Sequence, residues 1–323
     1  MLNGDRVPAV SVLICTRDRR DGLDALLADL RQQSYAGAIE IVVVEETDDP
    51  RPPDGVKYVP LPVRNHGIAY ARNRALAAAS HELVAFVDDD CRISQDWLQA
   101  LLAPFADAHV VGVQGGVTVP DSTNAIGWAE SLLGFPGGGI SRVHRACDHN
   151  QDTFEVSTLN AAYRRLAVQQ AGGFPESARF GGEDYLLAKR VAEHGRLLFV
   201  PEALVRHQVR GGLPAIWHWF TRRGRAEIEL IRAGIAPQGY GRYVVRASFS
   251  LKLAVALATV PWLGWLLPLL LIIAVIAITW WRLRWVLTAP AIPVAAYAVA
   301  PLVRMVMDVA NDAGRIRAML SKA

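Results

Sequence analysis

Ala85-Phe86-Val87-Asp88-Asp89-Asp90-Cys91-Arg92 is an apolar strand that runs out of hydrophobic residues and ends in three consecutive carboxylates. Like charges side by side repel. At the end of a buried strand that cost is offset when a divalent cation and a polar ligand share the site, and a metal-held diphosphate suits the pattern. The plainer alternative is a solvated turn that opens the next helix, with Ser94 as N-cap ahead of Trp97, Leu98, Leu101 and Leu102. On this stretch alone both readings stand.

The flanking sequence sets the fold. Val10 to Cys15 and Ile39 to Val44 are short, β-branched and almost continuously apolar, as strands buried on both faces are. Between them Leu23, Leu26, Leu27 and Leu30 repeat at helical spacing, which makes a β-α-β unit and implies a parallel sheet. A second, alanine-rich helix from about Ile68 to Ala79 leads into the strand Leu83 to Val87. The expected class is therefore α/β, a doubly wound, Rossmann-like sheet whose ligands sit at the carboxyl ends of the strands, where Thr16, Glu45 and Asp88 lie. Val110 to Val119 reads as a strand interrupted by Gly115-Gly116, and Gly134 to Ile140 as a glycine-rich loop that is mobile without a ligand. A helix from Arg165 stops at Gly172-Gly173. Leu197 to Val200 and Ala203 to His207 close the domain.

Of 323 residues, 52% are hydrophobic, above the usual globular range of about 45–50%. The excess is local. Leu253 to Trp281 and Trp285 to Val303 carry no charge, and either could cross a hydrocarbon core, which needs roughly 20 apolar residues in a helix. Ahead of them, Pro214 to Gly234 sets Ile216, Trp217, Trp219, Phe220, Ile228 and Ile231 against Arg222, Arg223, Arg225 and Arg232, the pattern of a helix at the headgroup layer or, more plainly, of a surface helix. The expected organisation is a catalytic α/β domain over 1–210, an amphipathic interfacial segment over 211–246, and two or three membrane helices with a short tail over 247–323.

Other classes recede. The apolar stretch from Val7 is too short for a signal peptide and runs into Arg17, Asp18, Arg19 and Arg20, so the first domain is expected in the cytoplasm. Cys15, Cys91 and Cys147 suggest neither a disulfide framework nor a zinc site. A net charge of +3 with no basic, aromatic-studded stretch gives no reason to expect nucleic acid. Arg242, Arg246 and Lys252 precede the first run and Arg304, Arg315, Arg317 and Lys322 follow the second, against Arg282 and Arg284 between them, so two crossings would leave both rich flanks on the cytoplasmic side of an inner membrane. Pro261, Gly264 and Pro268 allow the first run to fold into a hairpin instead, making three.

Val-Ser-Val-Leu-Ile-Cys-Thr-Arg-Asp-Arg from Val10, Gly-Ile-Ala-Tyr-Ala-Arg-Asn-Arg from Gly67, Phe-Val-Asp-Asp-Asp from Phe86, Gly181-Gly182-Glu183-Asp184 and Val205-Arg206-His207 stand in an order and spacing that resemble the family-2 inverting glycosyltransferases of GT-A fold. The form of the Gly-Gly-Glu-Asp motif is most similar to the succinoglycan-type exopolysaccharide glucosyltransferases. The resemblance implies a metal-dependent hexosyltransferase that takes a nucleotide sugar, expected to be a UDP-sugar, and passes the sugar to a lipid-linked saccharide or polyprenyl-phosphate-type acceptor beside membrane lipids. It implies a donor-binding set of Thr16, Arg17, Glu45, Arg72, Asn73, Asp88 and Asp89, with Glu45 one methylene longer than the Asp usual there, and with Arg72 and Asn73 facing the diphosphate. Asp90 and Asp88, with His207, are implied as ligands for Mg²⁺ or Mn²⁺, hard ions that prefer oxygen. Asp184 is implied as the base that inversion requires and Glu183 as the residue that orients groups, both in the first turn of a helix. A non-catalytic membrane scaffold with a degenerate nucleotide-binding domain is the alternative from another class, and the intact Asp88, Asp90 and Asp184 speak against it.

Overall fold

The computed structural model describes residues 7–321 except 65, 148, 179–180, 211, 237 and 290. Phe180, Lys322 and Ala323 therefore lie outside the described residues. In chain order the elements are β1 (Val10–Thr16), α1 (Arg20–Leu30), β2 (Ile39–Glu46), β3 (Lys57–Leu61), α2 (Ile68–Ala78), β4 (Leu83–Val87), β5 (Cys91–Ile93), α3 (Trp97–Leu102), β6 (Val110–Thr118), α4 (Ala125–Leu132), α5 (Gly139–Ala146), β7 (Gln151–Asp152), β8 (Asn160–Arg164), α6 (Arg165–Gln170), α7 (Glu183–Val191) and β9 (Arg196–His207). There follow α8 (Leu213–Arg232), α9 (Tyr240–Ala247), α10 (Phe249–Ala258), α11 (Val260–Leu263), α12 (Leu266–Leu283) and α13 (Val294–Leu320). The chain divides into two compact units, one of residues 1–120 and 136–208, the other of 121–135 and 209–323.

The first unit is one sheet of order β3-β2-β1-β4-β8-β6-β9-β5, with β7 against β9. β1 to β4 are mutually parallel where they pair, as the β-α-β reading requires. Beyond β4 the sheet is mixed: β8 runs antiparallel to both β4 and β6, and β5 antiparallel to β9. One apolar layer lies on each face. Leu23, Leu26, Leu27, Leu30, Trp97 and Leu98 cover one, and Ala69, Ala75, Leu76, Phe174, Leu187 and Val191 the other.

Gly115-Gly116 does not end β6. A Cβ on Gly116 would meet the Pro201 carbonyl at 2.6 Å, so the glycines let β6 lie tightly along a β9 that is shifted in register there. The two expected closing segments form the single strand β9. The glycine loop expected to be mobile is anchored in its second half: Gly137 and Gly138 adopt left-handed φ of 60° and 97°, and Gln114 Nε2 donates to the Gly137 carbonyl at 2.7 Å. The three cysteines are free thiols, Cys91 buried, Cys15 half-buried and Cys147 exposed.

In the second unit the first uncharged run is broken at Gly264, whose φ of +57° with ψ of −157° is a conformation open to glycine. Of its pieces only α12 is long enough to span; α10, at 10 residues, is not. Among the described residues two helices are thus long and apolar enough to cross a membrane, Leu266–Thr288 (counted through the short 3₁₀ turn) and Val294–Leu320. Exposed Trp262 and Trp265 stand at one end of α12, and Trp280 and Trp281 at the other, where aromatic belts lie in spanning helices. The second helix differs from the uncharged run that announced it. It begins only at Val294, after Pro293, and continues past Arg304 into a charged half.

That charged half packs on α8. Gly224 and Gly314 mark the crossing: a Cβ on either would collide with the other helix's backbone, at Asn311 and at Thr221 respectively. Beside the crossing Arg315 is buried between Glu227 of α8 at 2.6 Å and Asp312 at 2.8 Å, and the Ser250 amide donates to Asp312 at 2.8 Å. The other face of α8 remains mixed. Arg223 lies over the Phe135 ring at 4.9 Å, Arg210 over Trp219 at 4.2 Å, and Arg222, Arg223 and Arg225 are exposed.

Candidate active site

The apolar part of β4 stops at Val87, and the next residues turn back at once: the Cys91 amide donates to the Asp88 carbonyl at 3.1 Å. β5 then pairs with β9 so that Cys91 faces His207. That register decides what Asp90 meets, and the Gln208 amide donates to the Asp90 carbonyl at 2.9 Å to close it.

From this turn two chains of polar contacts run. On one side Thr16 donates to Asp89 Oδ2 at 2.6 Å, and Arg19 Nη1 bridges Asp89 Oδ1 at 3.1 Å and Asp90 Oδ2 at 2.5 Å. His207 Nε2 approaches Asp90 Oδ1 at 3.2 Å, an ion-pair contact too misaligned to be a hydrogen bond. On the other side Arg72 Nη2 lies 3.3 Å from Asp88 Oδ1 and its Nη1 donates to Glu183 Oε1 at 2.5 Å. Arg72 is not on a solvated helix face. With Ala69, Ala75 and Leu76 it makes the buried stripe of α2, so its charge is compensated by carboxylates instead of water.

Burial raises the Asp88 carboxyl above the ordinary range, partly countered by Arg72, and burial likewise raises Asp89. Burial would raise Asp90 too, but His207 and Arg19 outweigh it and hold that carboxyl down at about 2. His207 is raised, since Asp90 overcomes the opposite effect of its burial. Glu183 is pushed up to about 7 by burial and by the adjacent Asp184, despite Arg72.

Glu183 and Asp184 open α7 behind Gly181 and Gly182, whose φ of 132° and 86° turn the chain into the helix. Glu183 is buried. Asp184 is half-buried, and its Oδ1 accepts the Tyr185 amide at 2.8 Å.

Thr16, Asp89, Arg19, Asp90 and His207 thus form one chain of contacts and Asp88, Arg72 and Glu183 a second, the two meeting at the backbone of the turn, with Asp184 next to the end of the second. Glu45 lies at the end of β2, where Arg20 Nη2 at 2.9 Å and the Tyr58 hydroxyl at 2.6 Å both donate to its Oε2. Arg17 points elsewhere, toward Glu46 at 3.4 Å. Asn73, expected to face the diphosphate, is engaged on the other side of α2, where its amide donates to the Phe174 carbonyl and to Glu176, both at 2.9 Å, and its Oδ1 accepts the Phe174 amide. It braces the loop that follows Gly173. Arg20 and Tyr58 are candidate site residues that lie outside the motifs, and Arg19 closes the first motif without being given a role by it. The basic run at 17–20 is visible in the sequence but speaks there only against a leader, whereas β3 is concealed by Lys57 and Pro60, residues that suit an edge strand only.

Among the described residues no three carboxylate, imidazole or thiol groups already converge as a metal cage. Asp90 and His207 do fit a hard divalent ion as a partial site. Asp90 Oδ1 is buried without an aligned hydrogen-bond partner and faces His207 Nε2 at 3.2 Å, a state that a cation coordinated by both atoms would relieve.

Residues 11–171 match the model of Glycosyl transferase family 2. The chain belongs to glycosyltransferase family 2. The family-2 assignment accords with the pre-mycofactocin glycosyltransferase of Mycobacterium tuberculosis, 32% identical over 222 residues that make up 66% of this chain and 45% of that protein. The chain thus spans about half the length of that relative. The succinoglycan biosynthesis protein ExoO of Rhizobium meliloti is 26% identical over 228 residues, 64% of this chain and 63% of its own. Among solved structures, the mannosyltransferase PcManGT of Pyrobaculum calidifontis, in complex with GDP-Man and Mn²⁺, superposes with a TM-score of 0.57 at 21% identity, over 99% of this chain and 89% of that one. That likeness bears on the fold, which is the GT-A class of this glycosyltransferase family.

Proposed function

We propose that this family-2 glycosyltransferase is a membrane-anchored, inverting, metal-dependent enzyme that transfers a hexose from a nucleotide sugar, a UDP-sugar by preference, to a lipid-linked saccharide or polyprenyl-phosphate-type acceptor at the cytoplasmic face of an inner membrane. The observation that carries the reading is the carboxylate turn at the tip of β4, where the buried Arg72 joins Asp88 to Glu183 at the start of α7. Asp184 takes the proton of the acceptor hydroxyl as its oxygen attacks the anomeric carbon. The bond from that carbon to the phosphate oxygen breaks on the opposite face, and the configuration inverts. Arg72 has the fork to bind the phosphate oxygens of the departing nucleoside diphosphate, and Glu183 holds it in place. Asp90 and His207 would hold the cation, with the diphosphate completing its shell, and the cation when bound supplies Lewis-acid stabilisation of the leaving group. Thr16 and Glu45 face the nucleoside. The lipid side of the reading is supported by the two candidate spans and by the exposed Arg222, Arg223 and Arg225 beside Trp219, a pairing suited to the headgroup layer.

The test uses the full chain in detergent with Mn²⁺ and UDP-glucose, UDP-galactose and GDP-mannose in turn, reading released nucleoside diphosphate and binding of the donor. Asp184→Asn is expected to lower turnover of the accepted donor about 10²–10⁴-fold with donor binding retained. Loss in Glu183→Gln with none in Asp184→Asn would reassign the base. Failure to turn over any nucleotide sugar would favour the scaffold.

A further inference from the structure

The two arginines at the carboxylate turn differ in kind. Arg72 is 8% exposed and ion-paired inside the protein, whereas the Arg19 side chain is 56% exposed and reaches in from solvent to Asp89 and Asp90, which are 6% and 17% exposed. The anions are fixed, and the cation over them is removable.

Its placement is built into the backbone. Asp18 takes a left-handed φ of +55°, which only a few non-glycine residues tolerate, and this turns the chain so that Arg19 becomes the N-cap position of α1. The first turn of α1 is wedged against the carboxylate turn: a Cβ on Gly22 would meet the Asp89 carbonyl at 2.6 Å. Arg19 is thereby delivered onto Asp90 Oδ2 while Thr16 secures the far oxygen of Asp89. The remaining Asp90 oxygen, Oδ1, has only the misaligned approach of His207.

We infer that Arg19 is a cationic placeholder, whose guanidinium occupies Asp89 and Asp90 in the resting site and must swing out into solvent before a divalent cation can take Asp90. The inference rests on the proposed metal-dependent function. A divalent cation on Asp90 Oδ1 would face the guanidinium held on Oδ2 of the same carboxylate, where the two charges repel, and a cation that also needs Oδ2 competes with Arg19 for its lone pairs. The cost of removing Arg19 is small, since its head is already largely hydrated and its stem is flexible. The placeholder keeps Asp89 and Asp90 compensated until a cation arrives, and it weakens cation binding by the fraction of time it spends in place. Occupancy of about nine-tenths weakens the apparent affinity roughly tenfold.

The experiment measures Mn²⁺ binding alone, by the loss of the free-ion electron paramagnetic resonance signal, on the detergent-solubilised full chain without nucleotide. Arg19→Gln is expected to bind Mn²⁺ about tenfold more tightly than the wild type. Arg19→Lys, which keeps the charge and loses the fork, falls between them, and Asp90→Asn removes the binding in either background. Thermal melting of each variant confirms that it is folded. Asp90-dependent binding that is equal or weaker in Arg19→Gln would overturn the placeholder and leave the metal site standing. No Asp90-dependent binding in wild type or Arg19→Gln would overturn both.

Discussion

Replacing Arg72 with methionine keeps much of the length of the side chain and removes its charge. Glu183, 2.5 Å away and buried, and Asp88, 3.3 Å away, then lose their common counter-ion. Breaking a buried pair from one side costs about 3–5 kcal/mol, because the partner is left charged without water. At about 1.4 kcal/mol per decade this is roughly a 10²–10⁴-fold fall in amide protection for the most stable core strands. Hydrogen exchange of β1 and β4 in the detergent-solubilised full chain reads it inside the first unit alone. The pH dependence has a definite sign. The Glu183 carboxyl is already held up at about 7 in the fold, so its contribution to stability is fully present below its unfolded value near 4.5 and is lost as pH rises toward 7. Without Arg72 its folded value rises further, and the loss extends to higher pH. The deficit in protection relative to wild type is therefore expected to be larger at about pH 8 than at about pH 5.5. A deficit under about threefold at the higher pH, or one that grows on acidification, would refute the account of Arg72 as the buried counter-ion.

Asp90→Ala is expected to abolish nucleotide-sugar turnover while leaving the protection of β1 and β4 intact, and excess chelator to have the same effect on wild type until Mn²⁺ is restored; full activity in chelator would reject the metal assignment. A reporter fused after Ala323 is expected on the cytoplasmic side, because two crossings return the chain to where it began. A periplasmic signal would instead favour three.

The parallel half of the sheet was legible because β1, β2 and β4 are buried on both faces and show unbroken apolar runs, and β8, half polar and short, gave no such signal. Its antiparallel insertion between β4 and β6 is a long-range pairing that local sequence does not encode. The carboxylate turn was legible for the converse reason: charge where burial is expected has few explanations. What the motifs conveyed less well was division of labour. Asn73 and Arg72 are adjacent in sequence, yet the roughly 100° of helix phase between neighbours separates a buried counter-ion from a loop brace, and no pattern in the composition distinguishes them. Similarly, the uncharged run from Trp285 to Val303 marked a candidate span but not the bounds of its helix, since Pro293 delays the start and the helix runs on beyond the apolar stretch to pair Arg315 with Glu227.

The glycine crossing of α8 and α13 has a mechanical consequence. Where side chains separate two helices, rotamer changes absorb small displacements; where backbone meets backbone at Gly224 and Gly314 there is nothing compliant between them, and the buried Arg315 charges resist sliding. In the proposed membrane-anchored enzyme α13 is also the helix whose apolar half would match the bilayer, and a helix meets a thinner or thicker hydrocarbon layer by changing its tilt. Such a change of tilt passes to α8 without slack, which makes the pair a lever with one arm set by the lipid and the other carrying Arg222, Arg223 and Arg225.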